Sequence, residues 1–104
     1  MDERRLVYAP RAQRDLQDLE PRFAHQVLDD LEILRAPPWP PGKVKKLHGT
    51  DAWEIKTGNF RTLFWPQGRE VVLLRVVNRR DLEKAIDRID FRALLRWMRE
   101  RQGA

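Results

Sequence analysis

The sequence predicts an α+β domain with helices packed on one face of an antiparallel sheet. Three observations carry this. Apolar residues recur every three or four positions in the first half of the 104-residue chain and alternate in the second half. Between the two periods, four of the seven prolines fall within residues 36–42, a stiff connector that suits neither helix nor strand. The expected order is strand, two helices, three-strand meander and terminal helix (β-α-α-β-β-β-α). It forms a single domain over 1–104, with 90–104 a C-terminal amphipathic helix.

Each element has a local reason. Leu6-Val7-Tyr8-Ala9 is β-prone and is closed by Pro10. Ala12, Leu16 and Leu19 fall on one helical face. Glu20-Pro21 ends that helix and starts another, with Pro21 tolerated in a first turn. Phe23, Val27, Leu28, Leu31 and Leu34 give residues 21–35 a second apolar stripe, and the Pro corner makes the pair a helical hairpin. In the connector, Trp39 is expected to cap the edge of the core. Trp53, Ile55 and Thr57 then alternate with Glu54 and Lys56. Gly58-Asn59 is a two-residue hairpin turn, Phe60–Trp65 the returning strand, and Pro66-Gln67-Gly68 the next turn. Val71–Val77 is nearly continuous in apolar residues, as in a central strand covered on both faces. Asp81 is placed to cap a short helix through about Arg88. Asp90 is placed to cap the last one, whose face carries Phe91, Leu94, Leu95 and Met98.

The charge is unevenly placed. The whole chain has 21 Lys+Arg against 16 Asp+Glu, a net +5. Residues 43–80 alone carry nine basic and three acidic side chains, a net +6. A concentrated block of this kind points to an anionic ligand, where an even spread would serve only solubility. There is no Cys, which excludes disulfides and thiolate-bound metals. No apolar run reaches the ~18–20 residues of a membrane span. Met1-Asp2-Glu3-Arg4-Arg5 leads into no signal-like stretch, so the chain is read as cytoplasmic.

The two-residue loop fixes a register. Thr57 faces Phe60, Lys56 faces Arg61, Ile55 faces Thr62, Glu54 faces Leu63 and Trp53 faces Phe64. Trp53, Ile55, Phe60 and Phe64 then belong to the core face. Glu54, Lys56, Arg61, Leu63 and Trp65 belong to the other. Lys56 and Arg61 are directly opposed like charges, which destabilise a sheet unless an anion lies between them, Glu54 neutralises one, or both splay into water. Arg75 interrupts a core strand on the face of Val71, Leu73 and Val77. It either pairs with an acid or joins the basic concavity. Arg79-Arg80 close that strand where loops carry function.

Other chemistries find no support. His25 and His48 are far apart and lack spaced partners, so no metal site is expected. No phosphate-binding glycine loop, dinucleotide fingerprint or nucleophile elbow occurs. The basic helix over 91–101 is read as packing on the domain or on a partner helix, not on a membrane.

Three segments together resemble the RelE/ParE superfamily of type II toxin–antitoxin toxins. They are Lys43-Val44-Lys45-Lys46-Leu47-His48-Gly49, the run Trp53–Phe64 through Gly58-Asn59-Phe60-Arg61, and Val72–Leu82 ending in Asn78-Arg79-Arg80-Asp81-Leu82. The resemblance spans about residues 43–82. It implies a four-stranded sheet with two N-terminal helices on one face. It also implies a bacterial toxin held inactive by a cognate antitoxin. RelE-like members cleave mRNA on the ribosome without a metal or other cofactor: the ribose 2′-hydroxyl attacks the adjacent phosphate, and basic side chains stabilise the developing charge. By position the resemblance assigns Lys56 and Arg61 to phosphate contact and charge stabilisation, and Arg79 to the phosphate or leaving group. Lys43, Lys45, Lys46, Arg75 and Arg80 would line the RNA backbone.

The motif also departs from the family. Glu54 stands where ribonuclease members often carry a second basic residue, Asn78 where many have His, and Glu83 or Ala85 where a Tyr is common. Glu54 is the remaining candidate for proton transfer. The ending also resembles ParE-like members, which inhibit DNA gyrase. The expected function is therefore an mRNA interferase, with a gyrase inhibitor or an inactive antitoxin-binding relative as alternatives. The expected partners are an acidic, amphipathic antitoxin, the ribosome with its mRNA (or gyrase), and operator DNA through the antitoxin complex only. Phe91, Leu94, Leu95 and Met98 are candidate antitoxin contacts, unless that helix simply closes the core.

Overall fold

Arg5–Tyr8 forms strand β1 in the computed structural model, which describes residues 3–102. Pro10 is the first residue of helix α1 (Pro10–Asp18), where its missing N–H removes no helical bond. Pro21 plays the same part in helix α2 (Pro21–Leu31), which tightens into a 3-10 turn over Glu32–Arg35. Val27, Leu31 and Leu34 lie fully buried on the stripe the periodicity marked. Four strands follow: β2 (Val44–Lys46), β3 (Trp53–Thr57), β4 (Phe60–Gln67) and β5 (Glu70–Asn78). A 3-10 turn over Arg79–Asp81 leads into helix α3 (Leu82–Asp87), and helix α4 (Phe91–Arg101) ends the described chain. The part of the expected 90–104 helix at residues 103–104, and the first two residues of the N-terminal reading, lie outside the described residues. No described helix is long and apolar enough to cross a membrane.

The sheet order is β1-β5-β4-β3-β2, which corrects the expected architecture in three ways. The sheet has five strands, because residues 44–46 pair with β3 (Val44 with Ile55, Lys45 with Glu54, Lys46 with Trp53). Three residues are too few to show an alternation of their own. The sheet is mixed, because β1 runs parallel to β5. And helices cover both faces. Ala12, Val27, Leu31, Val44, Ile55, Phe64 and Leu73 form one core under the N-terminal hairpin. Leu63, Trp65, Val72, Leu74, Val77, Ala85 and Met98 form a second under α3 and α4. The observed order is therefore β-α-α-β-β-β-β-α-α in place of β-α-α-β-β-β-α.

The β3–β4 register is the expected one at all five pairs, Trp53–Phe64 through Thr57–Phe60, with Gly58 supplying the positive φ of +55° that the turn needs. The β4–β5 turn falls one step later than expected. Pro66 remains in β4 opposite Val71, and Gly68-Arg69 make the loop. Pro66 lies beyond the end of β3, on a stretch of β4 with no partner on that side, so its missing N–H breaks no ladder bond. Asp81 makes no side-chain cap. Asn78 accepts from the Arg80 N–H one turn earlier, while Asp90 caps α4 by accepting from the Ala93 N–H at 3.0 Å.

A bulge redirects β5. Leu63 faces Arg75, but Phe64 faces Leu73, so β5 carries one extra residue there. Leu73 and Val77 consequently join opposite cores, and Arg75 leaves the face on which simple alternation put it. β1 ends at Tyr8 opposite Leu73, which leaves the outer edge of β5 open above that level. α1 covers it: the Asp15 carboxylate accepts the Val76 N–H at 2.9 Å and the Arg75 Nε–H at 2.8 Å. One acidic side chain thus replaces a missing strand and neutralises the displaced arginine.

Candidate phosphate-binding edge

The proposed site begins with neighbouring strands. Lys56 on β3 lies opposite Arg61 on β4, on the same sheet face as Lys45 and Glu54 two pairs along. β5 ends alongside the turn, where the Arg79 N–H donates to the Asn59 carbonyl at 2.8 Å. Three basic positions 5–23 residues apart in sequence thereby meet around one hairpin end. Among the described residues, the side chains of Arg79, Lys56 and Lys45 make no hydrogen bond or ion pair. Arg79 and Lys45 are exposed and Lys56 is half-buried.

Arg61 is held, not splayed. Its Nη1 donates to the Gly58 and Phe60 carbonyls, both at 2.9 Å. Its Nε lies 4.0 Å from Glu54 Oε1, and its side chain is only 13% exposed. Opposed Lys56 and Arg61 are therefore tolerated because one of them is tied to its own turn and to a carboxylate. Glu54 is itself 1% exposed, and its Oε2 has no partner among the described residues. A buried oxygen acceptor without a donor is rare and costly, and here it sits beside the basic row.

Two other members of the +6 segment, Lys43 and Arg75, are paired with acids. Lys43 Nζ bonds Asp30 Oδ2 and the Lys56 carbonyl, both at 3.0 Å, on the α2 side, and Thr57 Oγ1 donates to the same Asp30 oxygen at 2.7 Å. Arg75 is bound to Asp15, so of its two sequence readings the acid pair is the one observed. Lys46 donates to the Thr50 carbonyl, keeping its charge outward. Arg80 is exposed, with only a 4.0 Å approach to Asp81. Neither Asp15 nor Asp30 was singled out by sequence; their only signal was an acidic residue on an otherwise apolar helix stripe.

The terminal helix packs inward on three of its four candidate positions. Phe91 meets Trp65 edge-on at 4.9 Å, Leu94 and Met98 belong to the second core, and Leu95 alone is outward, 41% exposed. The helix end is tied to the far end of the sheet, where Arg101 and Arg5 both bind Glu70. His25 and His48 are exposed and apart.

No protein-family model and no curated protein matches the sequence. Solved structures do. The Mycobacterium tuberculosis RelBE2 toxin–antitoxin complex is similar at 28% identity and TM-score 0.62, over 76% of this chain and 94% of that one. An archaeal RelE–RelB complex from Pyrococcus horikoshii is similar at 24% identity and TM-score 0.64, over 76% and 97%. A mutant Escherichia coli RelE toxin in the free state is similar at 20% identity and TM-score 0.66, over 85% and 99%. The chain is RelE-like in fold, as the motifs within residues 43–82 implied.

Proposed function

We propose that this RelE-like chain is the toxin of a toxin–antitoxin pair and that it cleaves mRNA at the hairpin end carrying Lys56, Arg61 and Arg79. The observation that carries the reading is the convergence of these three cations, two of them without side-chain partners among the described residues, on one turn. In the proposed step, the ribose 2′-hydroxyl gives its proton to water as its oxygen attacks the adjacent phosphorus, the bond from phosphorus to the 5′-oxygen breaks to leave a 2′,3′-cyclic phosphate, the departing 5′-oxygen takes a proton from water, and negative charge grows on the phosphoryl oxygens in between. Lys56 and Arg79 contact those oxygens. Arg61 is pre-oriented by the Gly58 and Phe60 carbonyls and presents its remaining N–H groups without a reorganisation cost. The buried Glu54 is a positioning residue for Arg61; a role as proton acceptor requires that the carboxylate be reached from outside. Lys45, Lys46 and Arg80 extend the basic track along which the RNA backbone lies.

RelE toxins in two of the similar structures are bound to RelB antitoxins. An acidic, amphipathic antitoxin is the matching partner here, with the outward Leu95 and the α4 face as its contact. The ribosome is the setting in which mRNA is presented, and operator DNA is reached through the antitoxin complex.

The test is primer extension on translated mRNA after induction, with wild type, Lys56→Ala and Arg79→Ala. New 5′ ends in wild type, lost in both variants, support the reading. Growth arrest with unchanged transcripts rejects it, and loss of supercoiling in a purified gyrase assay would put the ParE-like reading in its place.

A further inference from the structure

Three of the four tryptophans, which the proposed reaction does not use, converge at the other end of β3 and β4. Trp39, Trp53 and Trp65 line a surface depression of about 430 Å³ with Arg4, Asp51 and Gln67 at its rim. Its volume falls within the ~300–1,000 Å³ of small-ligand sites. Trp39 is held firmly although it comes from the proline-rich connector. Its Nε1–H donates to the Leu34 carbonyl at 3.2 Å, and its ring meets Trp53 (5.1 Å, 81°) and Phe64 (5.3 Å, 88°) edge-on. The Arg4 guanidinium lies 5.4 Å from the Trp39 centroid. Capping the core accounts for the inner edges of these rings. It does not account for the polar rim, where the exposed Asp51 carboxylate has no partner among the described residues. Gln67 donates its amide to the Pro66 carbonyl and keeps its oxygen as an acceptor.

We propose that this depression is a base-stacking subsite for a guanine of single-stranded RNA. Aromatic faces with an arginine stack any base. The rim supplies the choice. A carboxylate only accepts, and guanine alone presents two adjacent donors, N1–H and the N2 amino group, on its pairing edge. Adenine and cytosine present a donor beside an acceptor, and uracil a single donor between acceptors. The site lies three residues along β3 from Lys56, about 10 Å at ~3.3 Å per residue, or roughly three nucleotides at the ~3.4 Å stacked spacing. Trp53 and Lys56 lie on opposite faces of the sheet, and the depression opens at the strand end between those faces, where Trp65 from the Lys56 face also lines it, so a base held there leaves its phosphates to turn onto the cationic face. The proposal rests on the RNA reading above, and its test is kept separate from cleavage.

The experiment uses the full chain carrying Lys56→Ala, so that RNA is not consumed, with ¹⁵N-labelled indole signals followed on adding GMP, AMP, CMP and UMP. The expected result is that GMP moves the Trp39 and Trp53 signals at concentrations at least about tenfold lower than the other three. Asp51→Asn, an exposed substitution that leaves the fold intact, should bring the four ligands within about twofold while the signals still move. Trp39→Leu should weaken all four. The proposal is overturned if millimolar GMP leaves both signals in place or if the four nucleotides act alike on the Asp51 protein. It is also overturned if only an acidic antitoxin peptide moves the signals, which would make the depression a protein anchor. Cleavage lost in Lys56→Ala without guanine binding sinks the subsite alone. Guanine binding with no cleavage by the wild type sinks the reaction alone.

Discussion

Replacing Asp15 by alanine should be among the most damaging single changes to this fold, although it touches only a polar group. Asp15 is on α1, its side chain 10% exposed, and it accepts from Arg75 Nε (2.8 Å), Arg75 Nη2 (3.4 Å) and the Val76 N–H (2.9 Å). Removing it leaves a buried N–H on the open edge of β5 and an arginine in a half-buried place without its anion. Hydrogen bonds to a charged group contribute about 1.5–3 kcal/mol each. The partial exposure of Arg75 keeps its share near the lower end, so the expected loss is about 3–4 kcal/mol. For a domain of this size that lowers Tm by roughly 12–25 °C. Urea unfolding followed by circular dichroism measures it. A cycle with Arg75→Met separates the pair from the edge: the double variant should be more stable than the sum of the singles by about 1–2 kcal/mol. A loss below about 1 kcal/mol, or strict additivity, would refute the account of α1 as the cover of this edge.

Three further outcomes follow from the same geometry. Phe64→Ala empties a fully buried position touching Trp39 and Trp53 and should cost about 3–5 kcal/mol by the same unfolding measurement. The one tyrosine, Tyr8, has its pKa raised above the usual 10.0 by burial first and then by Glu32. The unfolded chain therefore ionises first, so stability should fall as pH rises through 10 toward the folded value. Urea midpoints across that range should flatten in Tyr8→Phe, and an equal alkaline loss in the variant would contradict the assignment. Lys45→Ala should reduce the salt slope of single-stranded RNA binding by about 0.7, while Arg75→Met, already neutralised by Asp15, should leave that slope unchanged in a fluorescence titration.

Much of the positioning was legible in the residues. A two-residue turn with a glycine fixes which residue faces which, so Lys56 opposite Arg61 followed from Gly58-Asn59 alone. Apolar periodicity marked the buried faces of α1, α2 and β5 because burial of a face is a local pattern. The +6 block located the basic segment but not its free charges. Whether a cation is available depends on an acid brought to it from elsewhere: Asp15 from 60 residues away for Arg75, and Asp30 from 13 for Lys43.

The sequence by itself determined the α+β class, the central hairpin with its register, and the RelE-like motif. Each is carried by spacing within a short window. Only the tertiary structure decided that β1 runs parallel to β5, that β2 is a strand, and that helices cover both sheet faces. It also decided that a bulge turns Arg75 toward α1 and that Trp39, Trp53 and Trp65 share one surface. These depend on which distant segments meet. Periodicity reports that a face is buried; it carries no information on what buries it.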